Sequence, residues 1–182
     1  MIELIEQAVS VIRQGGVIAY PTEHCFGLGC DPTNQQAVQR ILEIKNRSVE
    51  QGLILIASKQ SQVQIYADID ASPLKADILA SWPGPVTWTL PVRSSTPIWI
   101  SGKHQSIAMR VTSHHFSSQL CEEFGGAIVS TSANRHGQTA LLSNDQVSNQ
   151  MQNEIDYIVD APVGGANQPS QIKDSMTGAV LR

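Results

Sequence analysis

The chain has 182 residues, enough for one domain with a sizeable core, and its 12 Lys and Arg stand against 16 Asp and Glu for a net charge of −4. That balance excludes a protein that holds nucleic acid by overall charge. No apolar run approaches the ~20 residues of a membrane span, so no transmembrane segment is expected.

In chain order, Ile2 to Gln14 reads as a helix with Ile5, Ala8, Val9 and Ile12 on one face, stopped by Gly15-Gly16. Val17–Tyr20 reads as a buried strand ended by Pro21. The following stretch, Pro21 to Pro32, reads as a loop whose Gly27 and Gly29 let backbone approach a ligand closely. A second helix, capped by Asn34 and running to Lys45, would bury Val38, Ile41, Leu42 and Ile44. Leu53–Ile56 is too short for a helix and reads as a central strand. Short helices follow at Gln60–Tyr66 and Pro73–Ser81, then a rigid Trp82-Pro83-Gly84-Pro85 turn. Val86–Pro91 alternates and is β-branched, which predicts a strand. Ser106–Val111 is another, then a helix near Ser117–Glu123 and a buried strand at Ala127–Val129. A helix near Asn144–Met151, a strand at Tyr157–Asp160 and a last strand at Gly178–Leu181 complete the chain. Strands alternating with short helices predict an α/β class: one domain over 1–182, built on an irregular twisted open mixed sheet with flanking short helices.

The first residues, Met1 to Glu6, carry acids where a secretory signal needs a basic start. Cys25, Cys30 and Cys121 form neither a CxxC pair nor a zinc pattern, so buried thiols in a reducing, cytoplasmic setting are the expectation. There is no GxxxxGK[ST] loop, no GxGxxG after a strand and no GxSxG elbow. The adjacent His114-His115 reads as a surface pair.

What remains is polar residues at strand and helix ends. Lys45-Asn46-Arg47 closes a helix with two cations, and Ser130-Thr131-Ser132-Ala133-Asn134 follows a buried strand. Cations with small polar donors suit a polyphosphate, neutralising and orienting it. Arg47, Lys103, Arg110, Arg135, Lys173 and Arg182 all fall near Gly, Ser or Pro, whereas Glu3, Glu6, Glu122 and Glu123 sit on helices, so an acidic body can present a basic cleft. Arg110 lies in an otherwise apolar strand, where an unpaired guanidinium is costly. Its sequence leaves two readings open: an internal ion pair, with Glu23 for example, or a clamp for an anionic ligand.

The ordered series Ala19-Tyr20-Pro21-Thr22-Glu23, Phe26-Gly27-Leu28-Gly29, Lys45-Asn46-Arg47, Trp82-Pro83-Gly84-Pro85-Val86-Thr87, Ile107-Ala108-Met109-Arg110-Val111, Val129 to Asn134, and Pro169 to Asp174 resembles the YrdC family. More narrowly it is similar to the short bacterial branch, the threonylcarbamoyl-AMP synthases. The resemblance spans about Gly15 to Arg182. It implies a large concave basic cavity and an enzyme, a nucleotidyltransferase making threonylcarbamoyl-AMP and pyrophosphate from L-threonine, bicarbonate or CO2, and ATP. The product would serve the t6A modification of tRNA through a downstream threonylcarbamoyl-transferase complex. By resemblance, Lys45, Arg47, Ser106, Ser132, Asn134 and Arg182 contact ATP, and Thr22, Arg110, Ser130 and Ser170 hold threonine or its carbamate. Mg2+ would arrive with ATP, with no metal site on the protein.

Departures from the family pattern are His24 after Pro-Thr-Glu, where many relatives carry Thr, and Gly52–Ile56 in place of a Pro-Leu…His sequence. Arg135-His136-Gly137 adds charge at the expected cavity mouth. With Arg182 as the last residue of the resemblance, the linker and second domain of the longer form are not expected. Two other readings remain: an RNA-binding module with weak RNA or tRNA contact, opposed by 5% aromatic content and the negative charge, and a carbamoyl-transfer domain of the hydrogenase-maturation kind.

Overall fold

The computed structural model describes residues 1–135 and 137–182. Nine short strands among them divide between two mixed sheets. The first contains β1 (Ile18–Pro21), β2 (Phe26–Gly29), β7 (Thr131–Ser132) and β8 (Tyr157–Ile158), in the order β7-β2-β1-β8. The second contains β3 (Ile54–Ala57), β4 (Val86–Pro91), β5 (Ser106–Val111), β6 (Ile128–Val129) and β9 (Gln171–Asp174), in the order β6-β3-β5-β4-β9.

The helices follow the expected apolar faces. α1 (Ile2–Arg13) buries Ile5, Ala8, Val9 and Ile12 against α6 (His115–Phe124). α2 (Gln35–Ile44) is capped by Asn34, whose side chain accepts from Ala37 N at 3.1 Å. α3 (Gln60–Val63), α4 (Lys75–Ala80) and α5 (Ile98–Ser101) are one or two turns long, and α7 (Asn144–Met151) precedes β8. α5 was not anticipated; four residues are too few to show a helical period.

Two secondary-structure readings are overturned. The segment read as a loop contains β2, which pairs antiparallel with β1 and is buried throughout, although its Gly27 does line the cavity described below. Its second glycine serves packing: a Cβ on Gly29 would lie 2.7 Å from Tyr20 Cε1 and 3.1 Å from the Val129 carbonyl oxygen. Small residues on β2 thus admit the Tyr20 ring, which is fully buried.

At the chain end, the strand expected at Gly178–Leu181 reduces to a single bridge between Lys173 and Val180, and Val180 and Leu181 are exposed. The polar Gln171–Asp174 is the strand instead, running parallel to β4. An edge strand is held by backbone pairing, which needs no apolar pattern. Asp174 Oδ1 accepts from Met176 N and Thr177 N at 2.8 and 2.9 Å, and Gly178 supplies a positive φ of 77°. That turn folds the last residues back along β9, where Leu181 N donates to Ile172 O and Ile172 N to Arg182 O.

Candidate functional site

The chain passes from one sheet to the other at Ser130, between β6 and β7. Ser130 N donates to Ile54 O in the second sheet, and three residues later Ala133 N donates to Phe26 O beside the first, both at 2.8 Å. The Ser/Thr/Asn run is therefore pinned along the seam. Tyr20 Oη, admitted by the glycines of β2, donates to Ser130 Oγ at 2.7 Å.

Lys45-Asn46-Arg47 reaches the same seam through the way α2 ends. Asn46 takes φ of 48°, with Asn46 N bonded to Glu43 O and Arg47 N to Leu42 O. These are the paired bonds of a Schellman cap, and Asn tolerates the left-handed conformation that it needs. Lys45 Nζ donates to Ser132 O at 2.6 Å and to Asn134 O and Oδ1 at 2.9 Å. Ser132 Oγ also donates to Asn134 Oδ1, at 2.6 Å. Arg47 Nη2 donates to Gly52 O at 2.8 Å, while its Nε is buried without a partner.

These groups line a cavity of about 500 Å³, within the usual range for ligand sites. Lys45, Arg47, Ser132, Asn134, Arg182, Thr22, Arg110, Ser130 and Ser170 all contribute to its wall. Ser106 does not. It lies on β5 four residues before Arg110, about 13 Å away at the rise of a strand, and pairs with Pro91. Arg182 is brought in by the returning turn after β9, and its Nη2 donates to Ser170 O at 3.3 Å. Thr22 Oγ1 donates to Cys25 O at 2.7 Å, and Ser170 Oγ shares a 2.9 Å hydrogen bond with Thr87 Oγ1.

Arg110 resolves the two readings of its sequence by satisfying one and leaving room for the other. Its Nη1 forms a buried ion pair with Glu23 Oε1, which also accepts from Thr112 Oγ1 at 2.6 Å. Yet Arg110 Nε is buried and unpartnered, and both residues line the cavity. Burial pushes the Glu23 carboxyl up, but the Arg110 hydrogen bond and charge and the Thr112 hydroxyl hold it below its ordinary value.

The charge is unevenly spread. Lys45, Arg47 and Arg182 meet no carboxylate side chain, and their own values fall. Burial, then the Arg47 charge, brings Lys45 down to about 8. Burial, then Arg182, lowers Arg47. Among the described residues, seven of the 12 cations are paired with acids, and three of the other five are these cavity residues. Arg135, expected to add charge at the mouth, is neutralised by Glu154; His136 lies outside the described residues. Lys103 pairs with Glu50, and Lys173 sits over the Trp88 ring.

Sequence reasoning missed the glutamines of the wall, Gln51, Gln138 and Gln168, and also Cys25. Isolated glutamines in loops carry no signal. His24 also lines the cavity, and its Nδ1 lies 2.8 Å from Ala166 O. Gly164 N and Ala166 N donate to Thr22 O and Glu23 O, so the segment before β9 lies along the Thr22–His24 backbone. His114 caps α6 through Ser117 instead of facing the cavity.

The family model described as Sua5/YciO/YrdC, telomere recombination, matches residues 10–182. The chain belongs to the Sua5/YciO/YrdC family. Over 180 residues it is 50% identical to the threonylcarbamoyl-AMP synthase of Pseudoalteromonas translucida, covering 98% of this chain and 96% of that protein. Among solved structures, a doubly substituted Sua5 from P. abyssi superimposes with a TM-score of 0.89 at 31% identity, over 98% of this chain and 55% of that one. P. abyssi Sua5 complexed with L-threonine gives a TM-score of 0.85 at 31% identity, over 93% of this chain and 50% of that one. The chain thus spans about half of the Sua5 chains it matches and nearly all of the curated relative. No helix among the described residues of this Sua5/YciO/YrdC member is long and apolar enough to cross a membrane.

Proposed function

We propose that the chain is a threonylcarbamoyl-AMP synthase, a nucleotidyltransferase that joins L-threonine, bicarbonate or CO2, and ATP and releases pyrophosphate. The observation that carries this reading is the division of one cavity into two electrostatic regions. Lys45, Arg47 and Arg182 offer cations without carboxylate side chains paired to them among the described residues, as a triphosphate requires, while Arg110 sits in a neutral pair with one guanidinium donor unpartnered. The L-threonine complex of a structural neighbour and the name of a half-identical relative agree with it.

In this reaction the threonine amine takes up CO2 to form a carbamate, whose oxygen attacks the α-phosphorus while pyrophosphate leaves. The chain's part is to bring anions together and offset charge on the leaving group. Lys45, Arg47, Ser132, Asn134 and Arg182 hold the nucleotide; Arg110, Ser130, Thr22 and Ser170 hold threonine and its carbamate. Ser106 lies outside the cavity lining, on β5 four residues before Arg110. Mg2+ enters on the phosphates of ATP. Among the described residues no group of three or more His, Cys, Asp or Glu could hold a metal, and Glu23, the carboxylate side chain of the wall, is engaged by Arg110. The product would pass to a transferase acting on tRNA. For the alternative of an RNA-binding module, the cations outside the cavity are, among the described residues, mostly paired with acids, which weakens their attraction for a phosphate backbone.

Pyrophosphate release should require ATP, threonine and bicarbonate together. Equal release without threonine would leave a simple ATPase and sink the proposal.

Lys45 adds a pH dependence. The free side chain loses its proton near 8, and a bound triphosphate favours the ammonium and raises that value. Binding therefore takes up a proton, and ATP affinity should fall as pH rises above about 8. Titrations between about pH 7 and 9.5 check this, and a flat profile would show that Lys45 does not meet the phosphates.

A further inference from the structure

The Arg110–Glu23 pair has one open position on each partner. Arg110 uses Nη1 on Glu23, leaving Nε buried and unpartnered on the other edge of the guanidinium. Glu23 uses Oε1 for both Arg110 and Thr112, and Oε2 takes part in neither of these bonds. The side chains are only 8% and 18% exposed, and both face the cavity.

A pair that is already neutral attracts a lone carboxylate weakly. An α-amino acid is different: its carboxylate and ammonium are held two bonds apart on one carbon and are themselves neutral in sum. The carboxylate can approach the unpaired side of the guanidinium, with a small shift that uncovers Nε, while the ammonium meets the carboxylate oxygen that Arg110 and Thr112 do not use, so each charge finds its opposite. We infer that Glu23 reads the α-ammonium of the amino-acid substrate and makes this end of the cavity selective for amino acids over hydroxy acids of the same shape. The inference rests on the synthase reading and adds a specificity residue to it. Arg110 beside Glu23 keeps the carboxylate charged, which suits a group that binds an ammonium more than one that removes its proton.

The test is calorimetric titration of the whole protein with L-threonine and with the dihydroxybutyrate that has a hydroxyl in place of the amine. Wild-type protein should bind threonine at least about tenfold tighter than the hydroxy acid. Glu23→Gln keeps an amide oxygen for Arg110 and Thr112 but replaces the open oxygen with a donor. The preference for threonine over the hydroxy acid should then fall roughly 10- to 100-fold, the span for a hydrogen bond to a charged group, with the hydroxy acid binding no weaker than before, because Arg110 is no longer neutralised, and ATP binding about as before.

Thr112→Val removes the other bond to Oε1 and leaves Oε2 alone, so the threonine preference should survive it. An unchanged preference in Glu23→Gln, or its loss in Thr112→Val as well, would overturn the role given to Glu23. If Glu23→Gln does not fold, the wild-type comparison decides: equal affinity for the two ligands overturns the inference. A wild-type protein that binds no threonine would instead overturn the synthase reading itself.

Discussion

Arg110→Ala is expected to lose threonine-dependent activity and stability together. Removing one partner of a buried ion pair leaves a buried charge, which costs about 3–5 kcal/mol where burial is complete. Glu23 is 18% exposed toward the cavity, so about 2–3 kcal/mol is the expected loss, or roughly 5–10 °C in melting temperature for a chain of this size. Arg110→Lys keeps the charge and should recover much of the stability, but it lacks the second edge of the fork. Its threonine KM should remain high while ATP binding stays near wild type.

The pair also predicts how the stability gap depends on acid. The folded Glu23 carboxyl lies below its ordinary value of 4.5. Its contribution is therefore present above that value and lost as pH falls through the folded one. In Arg110→Ala burial, the largest influence, is opposed only by the Thr112 hydroxyl and the Glu23 backbone, so the protonated acid is less disfavoured. The difference between the two proteins should narrow as pH drops below about 4.5. Thermal melts at neutral and acid pH, beside a threonine titration, check each part. An alanine variant that melts like wild type and keeps its threonine KM would show that neither the pair nor the clamp matters.

Lys45→Ala should be the most damaging change on the nucleotide side. Lys45 is 6% exposed, and its three hydrogen bonds hold the Ser132–Asn134 segment as well as placing a cation in the cavity. A charged hydrogen bond is worth about 1.5–3 kcal/mol, which is roughly 10- to 100-fold in ATP affinity or kcat/KM. Loosening of the Ser132–Asn134 segment adds to that. Arg47→Ala should cost a similar amount in binding with less effect on the fold, because there it only donates to a nearby carbonyl, Gly52 O. The double variant should fall short of the sum, since both cations serve one phosphate cluster. Wild-type ATP binding and turnover in both single variants would reduce Lys45-Asn46-Arg47 to an ordinary helix end.

The sequence by itself determined the elements with a clear period and the chemistry of their ends. α1 and α2 carry their buried faces and caps in plain view, and the alternation or apolar density of β3, β4 and β5 marks them as strands. The cations of Lys45-Asn46-Arg47 and the donors from Ser130 to Asn134 already pointed to a polyphosphate, because charge and hydrogen-bonding capacity are local properties. Tertiary structure decided what local patterns cannot carry. β2 and β9 are strands because neighbouring backbones pair with them, and pairing leaves little trace in Gly27, Gly29 or Gln171. Arg182 enters the cavity only because the turn after Asp174 folds the last residues back, and Ser106, on the same strand as Arg110, is not part of the lining. The partner of Arg110 was a choice among acids until the fold placed Glu23, 87 residues away, on the guanidinium. Long-range electrostatics is set by which residues the chain brings together, and that information lies in the packing of both sheets against one seam.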